Sequence, residues 1–516
     1  MTFKLPSVGQ LKEAGDRIGI DLDDERAATI RNFLGPFVDA YNLVGALPEP
    51  LPPVKYPRTP GYRPTGADNR WGAWFVKTRI EGARRGPLAG KTVAIKDTIA
   101  IAGVPMMNGA SVLEGYIPDI DATVVTRLLD AGATILGKTV CEYFSYAGGS
   151  ATSAAGVVES PRNPGYTPGG SSTGSAAVVA AGEVDIALGG DQAGSIRIPA
   201  SYSGVVGLKP TYGLVPYSGI MSIEATIDHT GPMTADVATN ALALEALAGE
   251  DGLDPRQRNV KTARYTDALG ASAKGLKIAL VREGFGQFDS EPDVDAAVRA
   301  AARRLERLGA RVVEVSIPWH AYAVPIWGPL TLEGSFRVFQ TNGTGTNVEG
   351  LYSTSLAAAL AGWRRRANEF PPTIAVALLL SQYAETHYHG RYYAKAQNLR
   401  RSLRAAYDAV LAEHDLLLMP TTRMKTSKIP PPDAPFEAIM KHSWENIANT
   451  CGANVTGHPA ISIPCGLSDA RPVGLMLMAK HWNETALYRA AHALERAGDW
   501  RTMGPDRTAP RRKRRT

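Results

Sequence analysis

Cysteine is scarce in this chain of 516 residues, which holds only Cys141, Cys451 and Cys465. An odd count without C-x-x-C spacing supplies neither a disulfide framework nor a zinc site, and it is typical of a reducing compartment. Long apolar runs are missing as well, because the longest, near residues 374–380, is far shorter than the ~18 residues of a membrane span. The N-terminus lacks the pattern of a signal peptide. These absences predict a cytoplasmic protein with no membrane association.

Excess charge is confined to one end of the sequence. The formal net charge is +6, but five positive charges fall within residues 511–515, so the rest of the chain carries +1. A nearly neutral body offers no broad electrostatic footprint for a phosphate backbone, and no nucleic-acid partner is expected. Residues 505–516 are interpreted as a disordered basic tail. A role for this tail as an arm that binds nucleic acid or an anionic surface stays open.

Three regions follow from the patterning. Residues 8–45 carry apolar positions at helical spacing, and a proline-dense stretch beginning at Leu47 predicts an extended connector. We therefore expect a helical region with its connector over residues 1–69, a catalytic domain over residues 70–504 and the tail after it.

Strand-like and helix-like segments alternate in the middle region, which predicts an α/β fold with a large mixed, mostly parallel sheet flanked by helices. The predicted strands begin near residues 92, 134, 184, 277, 312, 416, 461 and 473, and the clearest helices span 122–131, 175–181, 294–308, 355–413 and 486–497.

Residues 132–139 (GATILGKT) match the phosphate-loop pattern G-x-x-x-x-G-K-[ST]. A phosphate loop must expose its backbone N–H groups to the ligand. Thr134, Ile135 and Leu136 in the middle of the match favour a buried strand instead. A nucleotide-binding module remains an alternative of a different class.

Residues 170–174 (GSSTG) match G-x-S-x-G, the nucleophile elbow of α/β-hydrolases. That elbow needs a buried strand directly before it. Residues 162–169 (RNPGYTPG) predict consecutive turns instead, which disfavours an elbow.

Two glycine- and serine-rich loops flank one helix–strand unit, at residues 169–175 and 189–195. Their hydroxyl groups can converge at one end of that unit. The small residues before Ser195 also allow successive backbone N–H groups to turn toward one point, as an oxyanion hole requires. Upstream, Lys96 ends an apolar strand, where burial would lower its pKa. Taken singly, each of these features is more typical of turns and solvated side chains.

In combination, these segments resemble the amidase signature family. The resemblance covers residues 70–500 and rests on VAIKD at 93–97, GGSSTGSAA at 169–177, GDQAGSIRIPAS at 190–201, GVVGLKPTYG at 204–213, DHTGP at 228–232 and GHPAISIP at 457–464. It is greatest to bacterial amidases associated with nitrile hydratases. The resemblance implies hydrolysis of small-molecule amides without a metal or other cofactor, and a homodimer.

The resemblance implies a Ser–cis-Ser–Lys triad. Ser195 would be the nucleophile, Ser171 the bridging serine after a cis peptide bond, and Lys96 the base, with oxyanion-hole N–H groups from residues 192–195, namely Gln192, Ala193, Gly194 and Ser195. Lys96 accepts a proton only when neutral, so its pKa must fall from about 10.4. A carboxylate beside it would counter that fall, and strand alternation predicts that Asp97 points away. Ala193 and Thr173 differ from the residues common in the family.

Substrate contacts are also implied by the resemblance. They would come from Gly169, Gly170, Tyr146, Ile227, Trp327, Trp444 and Ile447. Apolar and aromatic walls suit a hydrophobic or aryl acyl group, although anilides, carbamates and esters present a similar carbonyl. A glutaminase-type subunit of a tRNA-dependent amidotransferase would carry the same triad, and it remains the alternative enzyme.

Overall fold

The computed structural model describes residues 2–346 and 348–503. Contacts divide the chain into two compact units, residues 1–53 and 54–516. The division falls inside the proline-rich connector, whose second half clusters with the larger unit. The tail predicted at residues 505–516 lies outside the described residues.

The smaller unit contains three helices, α1 (Val8–Ile18), α2 (Asp24–Phe33) and α3 (Gly35–Ala46). Helix α1 begins with a capping box, in which Ser7 and Gln10 satisfy each other's backbone N–H groups. The helical character predicted from the apolar spacing is confirmed.

The larger unit is built on one sheet of eleven strands, in the order β1-β3-β2-β4-β6-β5-β10-β11-β9-β7-β8 over the described residues. The strands are β1 (Trp74–Glu81), β2 (Thr92–Lys96), β3 (Thr134–Thr139), β4 (Ile186–Gly190), β5 (Val206–Lys209), β6 (Thr230–Thr234), β7 (Lys277–Val281), β8 (Arg311–Val315), β9 (Leu416–Pro420), β10 (Ala460–Ser468) and β11 (Arg471–Ala479).

The pairing confirms a large mixed sheet flanked by helices, but parallel pairs are fewer than expected. Strands β3, β2 and β4 pair in parallel, as do β8, β7 and β9. The six other pairings in the described sheet are antiparallel. The β10–β11 hairpin and strands β1, β5 and β6 account for the difference. Strands β5 (VGLK) and β6 (TGPMT) are short and contain glycine or proline, so neither shows a strand pattern in the sequence.

Twelve helices in the described part of this unit flank the sheet. They are α4 (Thr123–Asp130), α5 (Thr173–Ala180), α6 (Arg197–Ser203), α7 (Val237–Leu247), α8 (Pro292–Arg307), α9 (Ala323–Gln340), α10 (Thr354–Leu360), α11 (Pro372–Tyr388), α12 (Arg391–Glu413), α13 (Phe436–Trp444), α14 (Cys451–Thr456) and α15 (Glu484–Arg496). Helix α5 is almost wholly buried, because its small residues let it pack closely against its neighbours. No helix among the described residues combines the length and apolarity needed to cross a bilayer.

Candidate active site

The two glycine- and serine-rich loops meet at one edge of the sheet. Strands β2 and β4 are parallel neighbours with Ile95 opposite Leu188, so their carboxyl ends lie side by side. Strand β2 ends at Lys96, and β4 leads into the loop that contains Ser195. The first loop lies beside the second, because the backbone N–H of Ser172 donates to the carbonyl of Ser195 over 3.3 Å.

Lys96 is fully buried and contacts the first loop directly. Its Nζ donates a hydrogen bond to the Oγ of Ser171 over 2.8 Å. The peptide bond between Gly170 and Ser171 is cis. Burial lowers the pKa of Lys96 to about 8, partly opposed by Cys141, Asp191 and the nearby Glu142. A substantial fraction of this lysine is therefore neutral in mildly basic solution.

Asp97, next to Lys96 in the chain, points away from it as strand alternation predicts. One of its carboxylate oxygens lies 2.9 Å from the Nζ of Lys138. The other accepts the backbone N–H groups of Met107 and Asn108. This carboxylate is occupied elsewhere and does not hold Lys96 in its charged form.

Glu142 and Asp191 are the two carboxyl groups whose charge raises the pKa of Lys96. The side chain of Glu142 is fully buried, and one oxygen accepts from the backbone N–H and the hydroxyl of Thr152 over 3.0 and 2.6 Å. Burial raises the pKa of Glu142 to about 7, although the Thr152 bonds oppose that rise. Glu142 therefore changes charge in the same pH range as Lys96.

The second loop is held from several sides. Asp191 forms a buried ion pair with Arg197 at 3.0 Å, and its backbone carbonyl accepts from the side-chain amide of Asn454 over 2.8 Å. The indole of Trp327 donates to the carbonyl of Gln192 over 2.9 Å. The hydroxyl of Thr450 donates to the carbonyl of Ala193. These bonds fix the carbonyl groups of Asp191, Gln192 and Ala193.

Four consecutive backbone N–H groups in this loop, at residues 192–195, have no hydrogen-bond acceptor within the described parts of the chain. Gly194 has a φ of +140°, which turns the backbone sharply beside Ser195. Ala193 is absent from the non-glycine residues with positive φ, so alanine fits there without strain. The loop thus presents unpaired donors of the kind that stabilise an oxyanion.

A cavity opens beside Ser195. Tyr146, Trp327, Trp444 and Ile447, four of the residues expected to contact substrate, line it. The indole of Trp444 donates to the carbonyl of Tyr146 over 3.2 Å, so these two lining residues are directly linked. The full lining comprises Ser145, Tyr146, Ala147, Gly148, Gln192, Ala193, Ser195, Ile198, Ile223, Trp327, Thr331, Ser443, Trp444 and Ile447.

Three of the expected contact residues lie outside this lining. Ile227 is fully buried in the core, and its carbonyl accepts from the ring of His229; the isoleucine that lines the cavity is Ile223. Gly169 and Gly170 precede Ser171 in the first loop without reaching the lining. Ile223 thus lines the cavity together with four of the expected residues, and Ile227 lies outside the lining.

The two alternative motifs do not form sites of their own kind. Residues 134–139 of the phosphate-loop match form strand β3, and Lys138 is fully buried in its ion pair. Residues 169–171 before the G-x-S-x-G serine form no strand. Neither segment therefore has the structure that its motif requires.

Several residues of the site carried no usable signal in the sequence. Glu142, Thr450, Asn454 and Ile223 reach the loops or the cavity only after the chain folds. Thr450 and Asn454 lie just before the segment at 457–464 that supported the family resemblance, and proximity to that segment was the only available hint.

Known proteins of similar sequence cover most of this chain. A family model described as Amidase matches residues 67–488. An enantioselective amidase of Rhodococcus rhodochrous is 44% identical over 443 residues, covering 84% of each chain. A glutamyl-tRNA(Gln) amidotransferase subunit of Koribacter versatilis is 39% identical, covering 80% of this chain and 85% of that protein.

Solved structures show the same fold. The native peptide amidase of Stenotrophomonas maltophilia superposes with a TM-score of 0.66 at 31% identity, covering 82% of this chain and 86% of that one.

Proposed function

The chain belongs to the amidase family and is an amide-hydrolysing enzyme, and from this premise we propose that it cleaves small-molecule amides through a serine acyl-enzyme. Ser195 is the nucleophile, Ser171 the bridge and Lys96 the base. The observation that carries the proposal is the 2.8 Å hydrogen bond from a fully buried Lys96 to Ser171. A buried amine of low pKa bonded to a hydroxyl is suited to receive a proton through it.

In the proposed reaction, neutral Lys96 takes the proton of Ser171 as Ser171 takes that of Ser195. The Ser195 Oγ forms a bond to the amide carbonyl carbon, and the carbonyl oxygen becomes an oxyanion. The proton then returns through Ser171 to the leaving nitrogen as the C–N bond breaks. Water attacks the resulting ester by the same route, which releases the carboxylate and regenerates Ser195.

The oxyanion is assigned to the N–H groups of residues 192–195. Their lack of acceptors in the described residues supports this assignment, since the donors need no rearrangement when charge develops. Trp327 and Thr450 donate hydrogen bonds to the carbonyl groups of this loop and so hold its peptide groups in place. A preorganised hole of this kind contributes several kcal/mol of transition-state stabilisation, with about 3–4 kcal/mol for one donor.

The acyl group is proposed to be apolar or aromatic. The lining of the cavity beside Ser195 includes two indoles, a phenol and three isoleucines, and contains no acidic or basic side chain. An aryl or branched acyl group would bury against these walls. A zwitterionic amino acid would leave its charges there without partners.

Glutaminase activity within a tRNA-dependent amidotransferase is the second candidate. Its support is the 39% identity to a glutamyl-tRNA(Gln) amidotransferase subunit. The uncharged lining disfavours it, because free glutamine carries an ammonium and a carboxylate that need counter-charges.

The enzyme is further proposed to be a cytoplasmic homodimer that needs neither a cofactor nor a nucleic-acid partner. Helix α3 supports dimerisation, since Phe37, Tyr41 and Val44 lie on one face of it and are each more than 60% exposed. Sedimentation of the wild type and of Phe37→Asp tests this assembly. A dimer that becomes a monomer in the variant is the expected result.

The reaction is tested by measuring ammonia or amine release from aliphatic amides, aryl amides, anilides, carbamates and L-glutamine. We expect an aryl or branched-aliphatic amide to be the best substrate. Ser195→Ala is expected to lower kcat by at least ~10³-fold. Ser175→Ala is the control, because its hydroxyl bonds the carbonyl of Leu188 within the core of the sheet.

Two results would contradict the proposal. Unchanged turnover in Ser195→Ala would remove Ser195 as the nucleophile. Turnover of L-glutamine alone, with none of the hydrophobic amides, would transfer the assignment to the glutaminase candidate.

A further inference from the structure

A second cleft in the larger unit is lined by five arginines. Arg256 and Arg258 come from the segment after α7, whereas Arg400, Arg401 and Arg404 project from α12. The cleft shares no lining residue with the cavity beside Ser195. The two surfaces are therefore separate.

Only one of these arginines forms an ion pair within 4 Å in the described residues. Arg256 pairs with Asp254 at 2.7 Å and with Asp228 at 3.5 Å. The other four arginines have no carboxylate within 4 Å in the described residues. Asp408, the carboxylate in the lining, lies 3.0 Å from the Nε2 of His458, and its charge also raises the pKa of Arg404.

Arg400 and Arg404 lie one helical turn apart and are both partly buried. Their Nε atoms donate to the carbonyls of Val455 and Thr456 over 2.9 and 2.8 Å. Burial lowers the pKa of both guanidinium groups, and for Arg400 the neighbouring Arg404 adds to that fall. Arg400 also donates to the Oε1 of Gln397 over 3.1 Å and to the carbonyl of Thr226 over 3.3 Å. Two like charges on one helix face repel each other, and a bound anion would relieve that repulsion.

Glu224 is the remaining acid that influences Arg400. Its carboxylate accepts from Thr226 and from the hydroxyl of Tyr393. It forms no ion pair with Arg400 in the described residues. The lining contains five arginines and one carboxylate, that of Asp408, so the cleft has a net positive charge.

We propose that this cleft binds a small phosphate-bearing anion. Arg400 and Arg404 supply the inner donors, while the exposed Arg258 and Arg401 complete the contact at the rim. The planar guanidinium fork matches phosphate oxygens in pairs. A concave site with partly buried cations suits a compact ligand better than a nucleic-acid backbone, which needs an extended basic face.

The test is calorimetric titration of the full chain with pyrophosphate in low-salt buffer. Arg400 and Arg404 also hold carbonyls at the end of α14, so their removal risks misfolding. The double variant Arg258→Gln/Arg401→Gln avoids that risk, and we expect it to raise the Kd at least tenfold. Arg391→Gln is the matched control, being an exposed arginine on the same helix outside the cleft; its Kd should stay within twofold of wild type.

Arg404→Lys separates charge from geometry, since lysine keeps the charge but loses the fork. Its Kd is expected to lie between those of the wild type and the double variant. Three results would overturn the proposal: no saturable binding of pyrophosphate up to millimolar concentration, an unchanged Kd in the double variant, or citrate binding as tightly as pyrophosphate. Binding of bulk transfer RNA without binding of pyrophosphate would also overturn it, in favour of a nucleic-acid surface.

Discussion

The Nζ of Lys138 lies 2.9 Å from a carboxylate oxygen of Asp97, and both side chains are closed to solvent. Lys96 lies on the neighbouring parallel strand, where Ile95 is opposite Lys138. Two buried lysines thus sit at the ends of adjacent strands, one paired with an acid and the other bonded to a serine. The ion pair keeps Asp97 away from Lys96, and this separation leaves Lys96 able to lose its proton near pH 8.

Replacing each buried lysine by methionine should change stability in opposite directions. Holding Lys96 charged in the fold costs about 3 kcal/mol at pH 7, because its pKa falls from about 10.4 to about 8. The hydrogen bond from Lys96 to Ser171 offsets about 1 kcal/mol of this cost. Lys96→Met should therefore raise the Tm by a few degrees, while Lys138→Met leaves Asp97 unpaired and costs about 3–5 kcal/mol.

The stabilisation by Lys96→Met should depend on pH in one direction. Below about pH 8 the lysine is charged in both states and the full cost is present. Above that pH the folded protein loses its proton first, so the cost shrinks and vanishes beyond about pH 10.4. Thermal melts from pH 6 to 10 check this; a Tm difference that grows with pH would contradict it.

Activity should rise with pH through the pKa of Lys96. Because only the neutral amine accepts a proton, kcat/KM is expected to increase to a plateau with an apparent pKa of about 8. The measurement is kcat/KM between pH 6 and 10.5 on an amide that does not titrate in that range. A rising limb near pH 10 would mean that Lys96 keeps the pKa of an exposed lysine.

Glu142→Gln should move that rising limb to lower pH. Ionised Glu142 raises the pKa of Lys96, so its removal should shift the limb to lower pH. Glu484→Gln is the matched control, because Glu484 is also buried and accepts from the backbone and hydroxyl of a threonine, Thr211. An equal shift in both variants would rule out a local effect of Glu142.

Alanine substitutions of two isoleucines should have different effects, one on substrate preference and the other on stability. Ile223→Ala enlarges the cavity beside Ser195, and we expect it to shift kcat/KM toward bulkier acyl groups. Ile227→Ala removes core packing outside that cavity and should cost about 2–5 kcal/mol in unfolding free energy with little change in preference. Substrate profiles and denaturation curves of both variants decide this. A changed profile in Ile227→Ala alone would restore Ile227 as the contact residue.

Gly194→Ala should displace the N–H donors of the loop that contains Ser195. A Cβ at Gly194 would meet the Cδ1 of Ile198 and the Cβ of Thr450 at 2.7 Å each, and alanine rarely adopts a φ of +140°. Displaced N–H donors are expected to lower kcat at least ~10²-fold. Ala193→Gly is the control and should keep more than half of the wild-type kcat. Full activity in Gly194→Ala would argue against the loop as the oxyanion site.

Much of the central fold followed from local pattern. Strand β7 (Lys277–Val281) and helix α8 (Pro292–Arg307) match the predicted segments within two residues, because apolar periodicity survives in a short window. Strands β5 and β6 escaped prediction, since glycine and proline obscure their pattern and their position depends on pairing with each other and with distant strands.

The sequence by itself determined the family, the motif residues Lys96, Ser171 and Ser195, and the strand ends that carry them, because those features lie in contiguous segments. Only the tertiary structure decided which acid stays near Lys96, which isoleucine lines the cavity and which arginines share a cleft. Those contacts are made by side chains from segments as far apart as residues 142, 223 and 404. Burial and distance between such groups, which set pKa values and binding contacts, arise only when the segments pack together.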